Sequence, residues 1–382
     1  MPVVIHIITG LNTGGAERAL YNVIQGGLAE SFRTIVISLT DEGRYGPMLK
    51  ELGVPVYCLG MKHGLPSISA LWVLRRIIRK YQPDVVQGWM YHGNLFASLA
   101  RFFSSHSSKV VWNVRQCLYI LREEKKLTQL VIRLCMVITK KPAGIIYNSQ
   151  LSKTQHEQLG FSNSNGLVIP NGFDLEHFQK NVDAMCVLRE GLSLPVEALV
   201  IGHVGRFHPM KDHACFIKAA ELVINEQPKA FFLLAGTNVD DNNVQIMDLI
   251  PEEWRHRFLL LGERSDVHRL YNAMDVFCLS SSSEAFPNVL GEAMSSSLPC
   301  ITTDVGEAAY IVGETGLVVP PKDPSASASA MLQMLDKPAE MRHSLGLAAR
   351  LRVEEKFSLK SVVRMYAELY ECLLLEDRLN KN

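Results

Sequence analysis

Short β-rich apolar runs, each followed by a segment of helical period, recur along the chain in two consecutive series. The first series lies at residues 3–8, 34–39, 54–59, 84–89, 110–114 and 144–148, and an amphipathic stretch over 17–29 follows its first member. The second lies at 199–204, 230–235, 258–261, 275–279, 299–302 and 316–319. Strands of this length alternating with helices are the pattern of βα units, whose parallel sheets are covered on both faces and so read as nearly continuous apolar runs. The architecture this predicts is α/β, with two doubly wound, Rossmann-like parallel-sheet lobes.

A length of 382 residues agrees with two domains, and a composition that is 47% hydrophobic and 20% charged supplies two cores and excludes disorder. The turn-rich segment 169–178, with Pro170, Asn171 and Gly172, marks the boundary. The expected domains are therefore 1–170, 171–360 and a C-terminal helix, 361–382, packing back on the first lobe. That helix carries Val362, Met365, Tyr366, Leu369 and Leu373 on one stripe and needs a surface to cover.

Several classes are excluded or disfavoured. No stretch reaches the ~18–20 uninterrupted apolar residues of a membrane span. The N-terminus lacks a basic n-region and a cleavage site, so a cytoplasmic location is expected, with the inner face of the membrane as a further resting place. The eight cysteines include no C-x-x-C and read as reduced, buried thiols rather than a zinc site or disulfide framework. Net charge is zero, but residues 1–190 hold 21 Lys+Arg against 13 Asp+Glu, a surplus of +8, and the remainder holds 18 against 26, or −8. A neutral total argues against a nucleic-acid binder, and the asymmetry suggests lobes with different partners.

Ligands of such folds bind beyond the carboxyl ends of the strands. After the first strand comes a glycine-rich loop, Gly10 to Arg18, in which Gly14 and Gly15 permit close backbone approach and the next helix offers its N-terminal N–H groups to an anion. It matches neither G-x-G-x-x-G nor the P-loop, and a plain tight turn explains it equally well. The second series opens with Gly205-Arg206-Phe207-His208-Pro209-Met210-Lys211-Asp212. There Arg206 and Lys211 could clamp a diphosphate or simply be solvated charges. A third loop, 280–294, places Glu284 eight positions before Glu292, with Phe286, Pro287, Asn288 and Val289 at a helix start. That separation suits gripping two ends of one ligand better than sharing a proton. Asp240-Asp241 reads as a surface pair rather than a metal ligand.

Taken in order, Gly-Gly-Ala-Glu-Arg after strand one, Gly-Arg-Phe with Lys211, and Glu-x-Phe-Pro with its Glu-x7-Glu spacing resemble family 4 of the retaining glycosyltransferases, of the GT-B fold. The resemblance covers essentially the whole chain and implies two facing lobes, with a nucleotide-sugar donor held mainly by the second and a glycan or lipid-linked acceptor by the first. It implies that Arg206 and Lys211, beside Gly205, neutralise the donor diphosphate, with Gly14 and Gly15 approaching it from the other lobe. Glu292 would take the ribose hydroxyls and Glu284 the donor sugar. Backbone N–H groups of Phe286, Asn288 and Val289, flanking Pro287, would line sugar and phosphate, and Gly262, Glu263 and Arg264 would lie by the base. UDP is the nucleotide expected by family frequency. No Asp-x-Asp is present and the family resembled needs no divalent ion, so neither metal nor cofactor is expected.

One departure concerns the histidine that many members place after the fifth strand of the first lobe. Here Arg115 and Gln116 follow residues 110–114, so the role passes to one of them or to His92. The segments around Trp89-Met90-Tyr91-His92 and Trp112-Asn113-Val114-Arg115-Gln116 resemble a branch associated with bacterial surface polysaccharide assembly. Basic stretches (Arg75, Arg76, Arg79, Lys80; Arg122, Lys125, Lys126; Arg133, Lys140, Lys141), interleaved with apolar residues that include Trp72, Tyr119 and Ile120, could rest on an anionic leaflet or be solvated helix faces. Rival readings are a non-catalytic nucleotide-sugar binder and another GT-B enzyme such as an epimerase. A dinucleotide-dependent oxidoreductase lacks its G-x-G-x-x-G.

Overall fold

A computed structural model describes residues 1–61, 67–105, 108–118 and 121–379. The chain divides into two compact units, Met1–Gly172 together with Leu359–Asn382, and Phe173–Ser358. Among the described residues each unit is built on one parallel sheet.

The first sheet contains β1 (Val3–Ile8), β2 (Arg33–Ser38), β3 (Val56–Cys58), β4 (Val85–Trp89), β5 (Lys109–Val114), β6 (Gly144–Tyr147) and β7 (Gly166–Val168). Their order is β3-β2-β1-β4-β5-β6-β7. The second contains β8 (Leu199–Val204), β9 (Ala230–Ala235), β10 (Phe258–Leu260), β11 (Val276–Leu279), β12 (Cys300–Thr303) and β13 (Leu317–Val319), in the order β10-β9-β8-β11-β12-β13. The central strands are buried on both faces, which is why their residues are apolar at consecutive positions instead of alternating. Each sheet reverses its strand order once, between β1 and β4 in the first unit and between β8 and β11 in the second. Beyond the carboxyl ends at such a reversal, the connecting helices run to opposite faces and leave a crevice.

Two features depart from the sequence pattern. Strand β7 is three half-buried residues pairing β6 alone, too short to give a period. The single helix expected over 17–29 instead breaks: Gly15–Val23 is followed by a π turn, Ile24–Leu28, with Gly27 at φ 111°. The break lies where the C-terminal helix, Leu359–Leu379, passes close, since a Cβ on Gly26 would meet the Leu359 side chain at 2.8 Å. That helix buries Val362, Tyr366, Tyr370 and Leu373 in the first unit's core, with the Tyr366 ring stacked on Trp89 and the Tyr370 hydroxyl donating to Gln87.

On the opposite face of the first sheet lie the helices Ile68–Tyr81, Met90–Ala100 and Lys126–Ile138, the middle one packing against both others, and Gln150–Leu159, whose His156 meets the Tyr91 hydroxyl at 2.7 Å. Their inward residues, among them Leu74, Ile78, Phe96, Ala97, Ile132 and Cys135, form one core cluster with the sheet.

Candidate functional site

In the second unit the reversal is formed by the loops leaving β8 and β11, and the residues singled out in the sequence converge there. The β8 loop starts under strict geometry. A Cβ on Gly236, at φ 154°, would come within 2.2 Å of the Gly205 carbonyl oxygen, so only glycine lets the two loops approach. Gly205 N–H donates to Ala235 O at 2.9 Å and Phe207 N–H to Thr237 O at 2.8 Å, fixing where Arg206 and Lys211 emerge. Arg206 is exposed and has no hydrogen-bond or ion-pair partner among the described residues.

Lys211 ends the turn Pro209–Lys211 and forms an ion pair with Glu284, whose carboxylate also accepts from the Ser281 hydroxyl at 2.7 Å. The loops are stitched by their backbones too. Ser282 N–H donates to Met210 O at 2.8 Å, and Ser280 Oγ donates to Lys211 O at 3.0 Å. Positions 73 apart in sequence are thereby brought into contact. Gly306, at φ 55°, completes the corner, because a Cβ there would reach the Glu284 carbonyl oxygen at 2.3 Å.

Phe286 and Pro287 are buried, and Phe286 stacks on Phe173 and meets Phe357 edge-on. The helix Asn288–Ser295 opens on Pro287, which has no side-chain cap to offer. Glu292, one turn in, is 3% exposed and accepts from the Tyr271 hydroxyl at 3.0 Å. Tyr271 was not evident in the sequence, because it lies in the helix Val267–Ala273 with no motif around it.

Beyond β10, Gly262 takes φ 63° and donates to Val239 O at 2.8 Å. Glu263 accepts from Thr237 Oγ1 at 2.9 Å. Arg264 forms two 2.8 Å hydrogen bonds with Asp266 and holds that carboxyl below its usual range, so this arginine is already committed to a neighbour. Beneath the β8 loop, His203 and His213 meet at 4.8 Å. Burial keeps both neutral, with His203 well below its ordinary value and His213 pushed down to about 4.

The first unit's reversal collects Gly14, Gly15 and His92. A Cβ on Gly14 would meet the Glu17 carboxylate at 2.2 Å, whereas open space surrounds Gly15. Burial raises the Glu17 carboxyl above its ordinary value. His92 stands in the first turn of the helix Met90–Ala100, half-buried, and that burial lowers its pKa. The preceding turn is tight: Met90 takes φ 62°, and a Cβ on Gly93 would meet Ile7 O at 2.4 Å. Arg115 points inward to internal partners. Its guanidinium donates to Tyr366 Oη at 3.0 Å and to Asn171, and lies 5.6 Å above the Trp89 ring. Gln116 Nε2 donates to Glu124 at 3.1 Å. Of the basic and apolar stretches, Tyr119 and Ile120 lie outside the described residues.

Among the described residues no helix is long and apolar enough to cross a membrane, and no group of three or more His, Cys, Asp and Glu side chains is placed to hold a metal ion.

Residues 13–177 match the profile of Glycosyltransferase Family 4, and residues 198–337 match that of Glycosyl transferases group 1. The chain is 25% identical over 336 residues to the capsular polysaccharide biosynthesis glycosyltransferase CapM of Staphylococcus aureus, covering 84% of this chain and 86% of that protein. It is 28% identical over 207 residues, 53% of each chain, to the UDP-Gal:α-D-GlcNAc-diphosphoundecaprenol α-1,3-galactosyltransferase of Escherichia coli. HepE of Anabaena, solved in complex with UDP, shares the fold at TM-score 0.82 and 21% identity, over 97% of this chain and 100% of that one. With both sheets built as doubly wound lobes and both halves matched in order, the chain belongs to the family 4, group 1 glycosyltransferases, and its fold is GT-B.

Proposed function

We propose that the chain transfers a sugar, with retention of anomeric configuration, from a UDP-sugar to a lipid-linked glycan during assembly of a bacterial surface polysaccharide. The observation that carries this reading is the convergence of Arg206, Lys211, Glu284 and the start of the Asn288–Ser295 helix on one strand reversal. A nucleoside diphosphate leaving group concentrates negative charge, and two cations with a helix N-terminus are what such a group requires. Support for the finer terms comes from relatives. The Escherichia coli protein is named for a UDP-Gal donor and a diphosphoundecaprenol acceptor, CapM for capsular polysaccharide, and HepE was solved with UDP.

In this reading Arg206 meets the diphosphate first, and Lys211 supplies the second charge while its carboxylate partner Glu284 reaches the donor sugar. Glu292, oriented by Tyr271, takes the ribose hydroxyls. Gly262 and Glu263 border the base. In the first unit His92 and the turn at Gly15 contact substrate, and Arg115 acts as a positioning residue through Tyr366 and Asn171. No divalent ion is assigned a part, and the acceptor's lipid puts the protein at the inner face of the membrane.

A thermal-shift panel of UDP, GDP, ADP and CMP, with and without EDTA, tests the donor site, since a ligand that binds only the native state raises its apparent stability. The expected result is a shift with UDP that is indifferent to EDTA and absent in Arg206→Ala. A shift abolished by EDTA, or no preference for UDP, overturns the metal-free UDP assignment.

A further inference from the structure

A chain of hydrogen bonds in the first unit joins the helix after β4 to the loop after β5. It starts at His156, buried in the helix Gln150–Leu159, whose Nδ1 lies 2.7 Å from Ser152 O and whose Nε2 lies 2.7 Å from the Tyr91 hydroxyl. Burial pushes this imidazole down to about 4, so it is neutral and carries one proton. A carbonyl oxygen can only accept, which puts that proton on Nδ1 and leaves Nε2 to accept from Tyr91. The Tyr91 oxygen accepts in turn from Gln116 Nε2 at 3.4 Å, and the second proton of the same amide goes to Glu124 Oε1 at 3.1 Å. The loop is sewn to the same helix on either side, the Ser152 hydroxyl donating to Gln116 O at 2.7 Å and Leu118 N–H to Gln155 Oε1 at 2.9 Å. Both donors of the Gln116 amide are thereby spent. Its Oε1 and the other Glu124 oxygen have no partner among the described residues, and both side chains are half-buried.

We infer that Gln116 and Glu124 form a subsite for a neutral sugar of the acceptor glycan, held through two of its hydroxyl protons. A site that offers only accepting oxygens, one of them on a carboxylate, takes groups that donate. It repels a uronic acid or a phosphate, which would set like charges side by side. Neighbouring hydroxyls of a pyranose ring supply the two donors. The inference rests on the glycan acceptor proposed above and on its lying at the first unit, and it adds what that acceptor must present there. The place in the fold agrees, since Tyr91 follows β4 and Gln116 follows β5, at the carboxyl ends where ligands of such sheets bind. His156 and Tyr91 are positioning residues: they fix which end of the amide is left for a ligand, because a flipped amide would set its oxygen against the Glu124 carboxylate.

Saturation-transfer NMR of the full chain tests the inference, with the methyl α-glycosides of glucose, galactose, mannose and N-acetylglucosamine set against those of glucuronic and galacturonic acid. At least one neutral glycoside should bind, and neither uronide should. Glu124→Gln should weaken the neutral glycoside on the order of tenfold to a hundredfold, the range for a hydrogen bond to a charged group. It should also admit a uronide, a gain that the loss of a mere loop brace does not produce. Gln116→Leu, which removes the accepting amide oxygen at similar volume, and Tyr91→Phe, which frees the amide to turn, should each weaken the neutral glycoside severalfold and leave the uronides excluded. The inference is overturned if no neutral glycoside binds, if the wild type takes uronides equally well, or if the variants lose stability while glycoside binding stays as it was. Glycoside binding that responds in this way, in a protein no nucleotide stabilises, would uphold the subsite and defeat the donor-site reading alone. A UDP thermal shift in a protein that binds no glycoside would do the reverse.

Discussion

Replacing Lys211 with alanine separates two explanations of the Lys211–Glu284 pair. If the pair only braces the loops leaving β8 and β11, the loss should appear as stability. The two side chains are 20% and 13% exposed, between a surface pair and a buried one, and Glu284 keeps the Ser281 hydroxyl at 2.7 Å. A cost of about 1–2 kcal/mol follows, or roughly 2–8 °C in melting temperature for a unit of this size. The enzyme would remain folded at 25 °C. If Lys211 instead balances charge on the departing diphosphate, its loss removes a preorganised group from the transition state, which typically costs about 10²–10³ in kcat. Initial rates of transfer from the UDP-sugar, measured well below the melting transition, should fall by that factor. The double variant Lys211→Ala, Glu284→Gln separates the causes in stability, since neutralising the carboxylate should restore the melting temperature lost to a structural imbalance while turnover stays low for want of a cation at the phosphates. A single variant within about tenfold of wild type, a loss of only about 1.4 kcal/mol in the barrier, or a double variant restored toward normal turnover, would refute the role given to Lys211.

Tyr271→Phe removes only the hydroxyl that donates to the buried Glu292 carboxylate at 3.0 Å, a bond to a charged group worth about 1.5–3 kcal/mol. Calorimetry should show a lower melting temperature, and titration a weaker affinity for UDP with little change for inorganic pyrophosphate; equal losses for both ligands would remove Glu292 from the ribose. Acid should destabilise both units. His6, held down to about 3, and His156 and His213, held at about 4, stay neutral in the fold because they are buried, while the unfolded chain protonates them near pH 6.5. Their contribution is therefore complete above about pH 6.5 and declines as pH falls toward 4, by up to about 1.4 kcal/mol per pH unit per histidine. Denaturant midpoints unchanged between neutral pH and mildly acidic pH would contradict this.

The parts of the molecule legible in the sequence are those whose cause is local. A central parallel strand must be apolar on both faces, so β1, β4, β8 and β9 announce themselves as runs, and β7, an edge strand of three residues, does not. Loops at strand ends keep small and charged residues, so Arg206, Lys211, Glu284 and Glu292 stand out by position. What those residues touch has no local cause. Lys211 meets Glu284 across 73 positions, Tyr271 meets Glu292 across 21, and Arg115 meets Tyr366 across 251, each pairing set by strand order and by the return of the C-terminal helix. The same nonlocality corrects what a reading of charge alone suggests about the clamp. Two cations on one loop look equivalent, yet Lys211 is already paired and only Arg206 stands exposed without a partner among the described residues. On the proposed donor site an arriving diphosphate would therefore meet Arg206 first, and it would gain Lys211 only by competing with Glu284. If the sugar's hydroxyls then occupy the carboxylate that Lys211 releases, the exchange couples diphosphate binding to sugar binding. On that account UDP alone leaves the Lys211–Glu284 pair partly in place, and the complete UDP-sugar binds more tightly than the sum of its parts.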